Sequence, residues 1–277
     1  MAAAAATATA ASPFAREVIE IKTPRVLIRT GDDADADAYA RYAADPANFP
    51  YGGAEPGMTS DKAAARLASF ARWTAEGKHG WVLLRSRATG ELMGYGGYNC
   101  FDRVDDAASF LAGPAATSAA AAAGKDGGDD DKDNNNSKAE KEEEEKIVLA
   151  DMGIMLDHRY WGQGYGLEIL IGLVEWARRA VGAALFRTET EPGNSEWRAL
   201  MNRAEVGGRV TRERASYDAD KEVLQWRWDA EAWEEAKGRI QAKGSARDDD
   251  GMRVEQWSSA TLQSLAMSMQ STLPDQA

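Results

Sequence analysis

Apolar and polar positions alternate over residues 24–29 (PRVLIR), as they do in a half-buried strand. Residues 81–85 (WVLLR) and 92–98 (LMGYGGY) read as two more strands, and the Ser, Thr and Gly of residues 86–90 join them into a hairpin. Helical spacing takes over between these runs. Ala64, Leu67, Phe70, Ala71 and Thr74 share a stripe over residues 59–76, with Thr59, Ser60 and Asp61 at its start and Gly77 placed to end it. A helix ahead of it has Asp32, Asp33 and Asp35 where a first turn favours acids, and Pro46 stops it.

Residues 147–156 (IVLADMGIML) are nearly continuous in apolar content and predict a buried strand. The next helix runs from Gly166 to about Ala180. Leu167, Leu170, Ile171, Val174 and Ala177 form its apolar face, and Glu175 pairs with Arg178 or Arg179 one turn on. A strand at 184–190 follows, then a helix to about residue 204 capped by Asn194 or Ser195. A hairpin over 209–217 and 222–229 and a short helix over 229–237 complete the pattern; residues 254–269 carry only a weak amphipathic repeat.

Two glycine groups interrupt this order. Gly94, Gly96 and Gly97 weaken their strand and predict a bulge or a close neighbour. Gly162, Gly164 and Gly166 alternate with bulky residues in YWGQGYGLE, directly between a strand and a helix. Glycine is costly to order, so three in alternation imply that bare backbone is needed there. Strand, glycine turn and helix together aim N–H groups and the positive end of a helix dipole at one place, which suits phosphate. No lysine follows the turn, so it is not a nucleotide P-loop, and Leu167 occupies the sixth position from Gly162, so the dinucleotide fingerprint fails too. The plainer use is a turn that packs a helix tightly on a strand.

Composition narrows the field. The 277 residues are 44% hydrophobic, enough for one sizeable core, and the net charge of −12 argues against a nucleic-acid binder. Much of that charge is local: residues 125–146 hold ten acids against five lysines. Residues 113–146 are too polar to bury a core and read as a disordered acidic insert. Residues 1–22 read as a disordered leader without the basic start and Leu-rich run of a signal peptide, and residues 241–277 as a polar tail. Cys100 is the sole cysteine, and His79 and His158 are the only histidines, so neither a disulfide within the chain nor a metal cluster is expected. No apolar run spans a bilayer, and a reducing compartment is the default, cytoplasmic with the nucleus as an alternative.

The stretch ADMGIMLDHRYWGQGYGLEIL resembles the acyl-CoA-binding motif of the GNAT N-acetyltransferases, above all the branch with the ribosomal-protein-alanine N-acetyltransferases. The element order is similar over about Thr23 to Lys237, which implies one GNAT domain over 23–240. The implied fold is α/β (α+β), a central mixed, mostly antiparallel sheet of six to seven strands flanked by helices. The resemblance implies that the amides of Gly162, Gln163, Gly164, Tyr165, Gly166 and Leu167 hold the pyrophosphate of acetyl-CoA, the co-substrate. It further implies that Met155, Leu156 and Asp157 pair with the pantetheine arm on a splayed strand, and that Asn194 lies near the thioester. The sequence departs from the family pattern at Trp197, where Ser is usual, and at Glu205-Val206, where Gly-Phe is usual; no Tyr follows Asn194 closely enough to protonate the thiolate.

Acetyl transfer to an amine needs a proton acceptor. Asp151 matches the acidic position of the motif, and Glu189 on the neighbouring strand is the second candidate. The plainer reading of Asp151 is a strand-end acid bonded to backbone, and that of His158 a surface turn. The expected function is acetyl transfer from acetyl-CoA to a primary amine, on a protein N-terminus or a small molecule, by a monomer or homodimer that uses no metal, nucleic acid or membrane. The alternative is a GNAT-fold scaffold that no longer catalyses and binds partners through the acidic insert.

Overall fold

The computed structural model describes residues 12–113 and 146–245. The expectations for residues 1–11, for 114–145 and for the tail beyond 245, with its weak repeat at 254–269, lie outside the described residues. Eight strands form one sheet in the order β1-β2-β3-β4-β5-β6-β8-β7. They are β1 (Glu20–Lys22), β2 (Val26–Arg29), β3 (Gly80–Ser86), β4 (Leu92–Val104), β5 (Ile147–Leu156), β6 (Leu185–Thr190), β7 (Val210–Arg214) and β8 (Glu222–Asp229). Every neighbouring pair is antiparallel except β5 and β6. The count exceeds the expected six to seven because β1 has only three residues, too few to show a period of two.

The helices are α1 (Ala36–Ala44), α2 (Ser60–Ala75), α3 (Ala107–Ala112), α4 (Tyr165–Ala180), α5 (Ser195–Arg203) and α6 (Ala230–Ser245). Thr59 caps α2 as the sequence suggests, its hydroxyl accepting the amide of Lys62. The short α3 was not anticipated, and α6 runs eight residues past the expected Lys237.

The two sheet faces differ in kind. On the first face α4 and α6 pack against Val82, Met93, Tyr98, Ala150, Met152, Phe186, Trp226 and Trp228. α4 is buried continuously from Glu168 to Ala177, well beyond the single stripe read from the sequence. Its two acids are matched inside: Glu175 takes Trp233 Nε1 at 2.8 Å and ion pairs from Arg178, Arg179 and Lys237. On the second face α1 and α2 cover Leu83, Leu92, Tyr95 and Met155 with an aromatic cluster that includes Tyr39, Tyr42 and Phe70. Asp35 belongs to this layer rather than to an exposed first turn; it is fully buried and held by Arg29 and Arg85.

The β4 glycines have the expected close neighbour. Side chains at Gly94 or Gly97 would run into the carbonyls of Met155 and Gly80, and both have positive φ. A Cβ on Gly96 would come within 2.7 Å of the Gly153 carbonyl. The three glycines therefore let β4 lie hard against β3 and β5, the strand that leads to the glycine turn.

Candidate active site

Strands β5 and β6 start as a parallel pair at Leu149↔Leu185, Ala150↔Phe186 and Asp151↔Arg187. Then they part. Met152 to Leu156 pair only with β4, and Thr188 to Thr190 only with β8, so a wedge opens in the middle of the sheet. The Asp157 amide donates to Met93 O at 2.7 Å, and the Met155 carbonyl accepts the Tyr42 hydroxyl at 2.8 Å. Backbone groups alternate along a strand, so those of Ile154 and Leu156 point the other way, into the wedge. Among Met155, Leu156 and Asp157 it is thus Leu156 whose amide faces the opening; its carbonyl takes Trp161 Nε1 at 2.6 Å.

Just past β5 the chain makes a short 3-10 turn over His158–Tyr160. Asp157 is buried and holds this turn, accepting from the Arg159 amide, Nε and Nη2 at 2.8–3.0 Å. Burial works to raise its carboxyl, yet these donors and His158 bring it below the usual range. The amides of Gly162, Gln163, Gly164, Tyr165, Gly166 and Leu167 find no acceptor among the described residues, and the α4 ladder begins only with Glu168 N on Gly164 O at 3.3 Å. Gly162 and Gly164 reach this geometry with φ of +72° and +81°, a region that penalises side chains. Gly166 is ordinary in φ but sits 3.5 Å from Leu200 at its would-be Cβ.

A cation beside this row was not foreseen. Arg25 lies 4.2 Å over the Tyr165 ring, donates to Gln163 O at 3.2 Å and pairs with Glu168 at 2.7 Å. Glu168 is buried and also accepts from the Arg25 amide and Thr23 Oγ1, so the turn before β2 is tied to the start of α4. Only the Thr-Pro-Arg turn at residues 23–25 hinted at it, and nothing in spacing links it to Glu168.

The second face of the wedge is polar. Asp151 is 2% exposed; Oδ1 accepts Asn99 Nδ2 at 2.9 Å and Oδ2 accepts Arg187 Nε at 2.6 Å. Burial pushes its carboxyl up, while Arg187 and Asn99 pull it partway back. The Cys100 thiol beside it is pushed up to about 11, chiefly by burial, and stays protonated at neutral pH. Gly153, two residues on and on the same face, has the Asn99 amide nitrogen 4.0 Å from its would-be Cβ. Glu189 is half-buried, two residues beyond the last β5–β6 pair, and accepts from Ser216 Oγ at 2.7 Å and Gln225 Nε2 at 2.9 Å. Asn194 caps α5: Oδ1 accepts the Trp197 amide at 2.9 Å and Nδ2 donates to Thr190 Oγ1 at 2.8 Å. Trp197, where the family pattern has Ser, and Trp226 on β8 are core residues of the first face.

His158 is exposed and bonded to Asn48, away from the wedge. It lines a cavity of about 590 Å³ together with Arg41, Tyr42, Arg85 and Glu91, on the side of the turn where neither Asp151 nor Glu189 reaches. Among the described residues, no group of three or more His, Cys, Asp or Glu side chains is arranged to hold a metal ion. No described helix is long and apolar enough to cross a membrane.

A family profile described as an acetyltransferase (GNAT) domain matches residues 134–206, from ahead of β5 to past α5. Over that stretch the chain is similar to a GNAT acetyltransferase domain. Solved structures share its fold over most of their length. The acetyltransferase RimL in complex with coenzyme A superposes with a TM-score of 0.51 at 14% identity, covering 77% of this chain and 99% of that one. A probable acetyltransferase gives 0.52 at 13% identity, covering 78% and 99%. RimJ of Mycobacterium smegmatis, in complex with a CoA disulfide, gives 0.50 at 14%, covering 82% and 94%. No curated protein matches the chain in sequence. The profile covers β5, the glycine turn, α4, β6 and α5, the elements that form the opened β5–β6 pair.

Proposed function

We propose that the protein transfers an acetyl group from acetyl-CoA to a primary amine. The observation that carries this reading is the row of unengaged amides from Gly162 to Leu167, at the positive end of α4 and directly behind a strand that has left its neighbour. Six donors without acceptors fit a pyrophosphate, and Arg25 adds positive charge at their edge. The structures of RimL and RimJ contain coenzyme A or its disulfide, which agrees with this assignment.

Acetyl-CoA supplies a thioester whose acyl carbon the amine attacks, the C–N bond forming as the C–S bond breaks. The amides of Ile154 and Leu156 on the open edge of β5 offer donors to the pantetheine arm and the developing oxyanion. Asn194, with both ends of its amide engaged, holds α5 against the end of β6 rather than offering a free group. The amine must lose a proton. Asp151 was the first candidate by sequence, but both its oxygens are committed and it is almost fully enclosed. Glu189 is open and carries only neutral donors, so we assign the proton to Glu189 and the placement of Arg187 to Asp151. The acceptor is an amine on a protein N-terminus or a small molecule.

Two measurements test this. Titration calorimetry should detect coenzyme A binding, and free thiol should be released from acetyl-CoA with at least one member of an amine and N-terminal-peptide panel. A folded protein that binds no coenzyme A would sink the proposal; binding without turnover would favour a scaffold.

A further inference from the structure

The stretch from the end of β6 to the start of α5 carries Glu189, Glu191 and Glu196, none with an ion-pair partner among the described residues. Two cations of the neighbouring segments are engaged by aspartates instead. Arg187 is bound to Asp151 at 2.5 Å, and Lys221 stands 4.0 Å from Asp218. Two exposed tyrosines flank the stretch. Tyr51, from the loop after α1, donates its hydroxyl to Glu196 at 2.7 Å and passes 3.9 Å from the would-be Cβ of Gly193. Tyr217, from the β7–β8 turn, has its hydroxyl pushed up by burial and then by Glu191 and Glu189.

A second observation points to a missing donor. Gln225 is 2% exposed and its Oε1 has no hydrogen-bond partner. Its Nε2 is bound to Glu189 Oε2 at 2.9 Å, so the same planar amide holds Oε1 beside that carboxylate. Turning the amide over would set oxygen against carboxylate oxygen, so the orientation follows from Glu189. A buried acceptor left without a donor is unfavourable unless something supplies one. Here an unfilled amide oxygen adjoins an un-neutralised carboxylate, and an ammonium, with three donors and a positive charge, complements both.

We propose that Gln225 and Glu189 seat the reacting amine as its ammonium, and that Glu191 and Glu196 at the rim select an acceptor bearing a second positive charge. This rests on the acetyltransferase reading above. Glu189 and Glu191 are two residues apart at the end of a strand, roughly 6–7 Å along the backbone, which suits a short diamine or a basic residue next to a reactive N-terminus. The proton leaves the seated ammonium for Glu189 before attack, so the amine arrives charged and reacts neutral.

Putrescine and butylamine test this, since they share a carbon count and differ by one charge. With full-length protein and acetyl-CoA, kcat/KM for putrescine should exceed that for butylamine by about ten-fold at low salt, and the preference should shrink as ionic strength rises. In the double variant Glu191→Gln/Glu196→Gln the putrescine-to-butylamine ratio should fall toward one. Gln225→Met should raise KM for putrescine while the melting temperature of the free protein holds or rises, because a purely structural Gln would show the reverse. Equal kcat/KM for the two amines, in a protein that turns both over, overturns the inference and leaves the acetyltransferase reading standing. Loss of coenzyme A binding in wild type overturns the reading and the inference with it.

Discussion

The two sides of the β5–β6 wedge are built in opposite ways. The side proposed for the cofactor is main chain: consecutive amides from Gly162 to Leu167, held open by two positive-φ glycines. The side proposed for the acceptor is side chain: Asn99 from β4, Asp151 from β5, Arg187 and Glu189 from β6, and Gln225 from β8, brought together only by sheet order. A backbone cradle tolerates change everywhere except at its glycines. A side-chain network distributes its dependence over every member, since removing one leaves a partner buried and unpaired. Substitutions separate the two sides, and those on the side-chain network have the larger effect.

Asp151 and Glu189 differ most. Asp151→Asn leaves the half-buried Arg187 guanidinium without its carboxylate, at a cost below the about 3–5 kcal/mol of a fully buried pair but still the largest stability loss expected here. A pH signature accompanies it. Burial raises the Asp151 carboxyl in the folded state, so the native form binds the extra proton, and this group lowers stability as pH rises from about 3.9 through its raised value. Glu175 and Glu213, held low by their cationic partners against the opposing effect of burial, act in the opposite sense and lose stability as pH falls. Removing the Asp151 term should therefore make stability climb more steeply with pH in that window, read from urea midpoints. Glu189→Gln, by contrast, should leave melting nearly unchanged and lower kcat/KM by about 10²–10⁴-fold at neutral pH, with coenzyme A affinity retained. Near-normal turnover in Glu189→Gln would return the base to Asp151.

On the cofactor side, Gly164→Val forces a β-branched residue to φ of +81°, a strain of about 1–3 kcal/mol, and places its side chain toward Arg25. Coenzyme A affinity should fall at least about ten-fold by calorimetry. Gly166→Ala sharpens the contrast. Its φ is ordinary and the new methyl would only touch Leu200, so melting should hold, while a pyrophosphate seated on these amides as proposed would meet the methyl and bind several-fold more weakly. Wild-type affinity in both folded variants would remove the cradle.

This contrast also explains what the sequence revealed. The turn at Gly162–Gly166, the buried strand before it and the capping of α5 by Asn194 are local patterns, and each stands in the structure where the spacing puts it. Arg25 on Glu168, Arg187 on Asp151 and Gln225 on Glu189 join residues far apart in the chain, and no periodicity encodes them. β1 and α3 are too short to show a period, and α4 hides its second face because Glu168 and Glu175 read as surface charge although both are buried with partners.

The smallest effect is expected from the acidic segment. β4 and β5 are paired as far as Val104↔Ile147, so the chain between them bridges positions already side by side. α3 belongs to the fold: the Arg227 guanidinium lies 5.6 Å over Phe110, and the would-be Cβ of Gly113 is 3.0 Å from Arg227 Nη1. The cut should therefore spare residue 113, removing 114–145 and joining Gly113 to Lys146 by a short Gly-Ser link. Loop entropy changes by only about 0.6 kcal/mol per doubling of length, and a shift of 1 kcal/mol moves the melting temperature of a domain this size by about 2–4 °C. The shortened protein should thus melt within a few degrees of wild type and acetylate small amines at the same rate. It removes net negative charge from the chain, so any steering of a cationic acceptor by the segment would appear as a slower kcat/KM at low salt that disappears at high salt. A fall in melting temperature beyond that range would mean that residues 114–145 contribute to the stability of the domain. An unchanged fold with turnover lost only on peptide acceptors would mean that the segment recruits the acceptor rather than stabilising the domain.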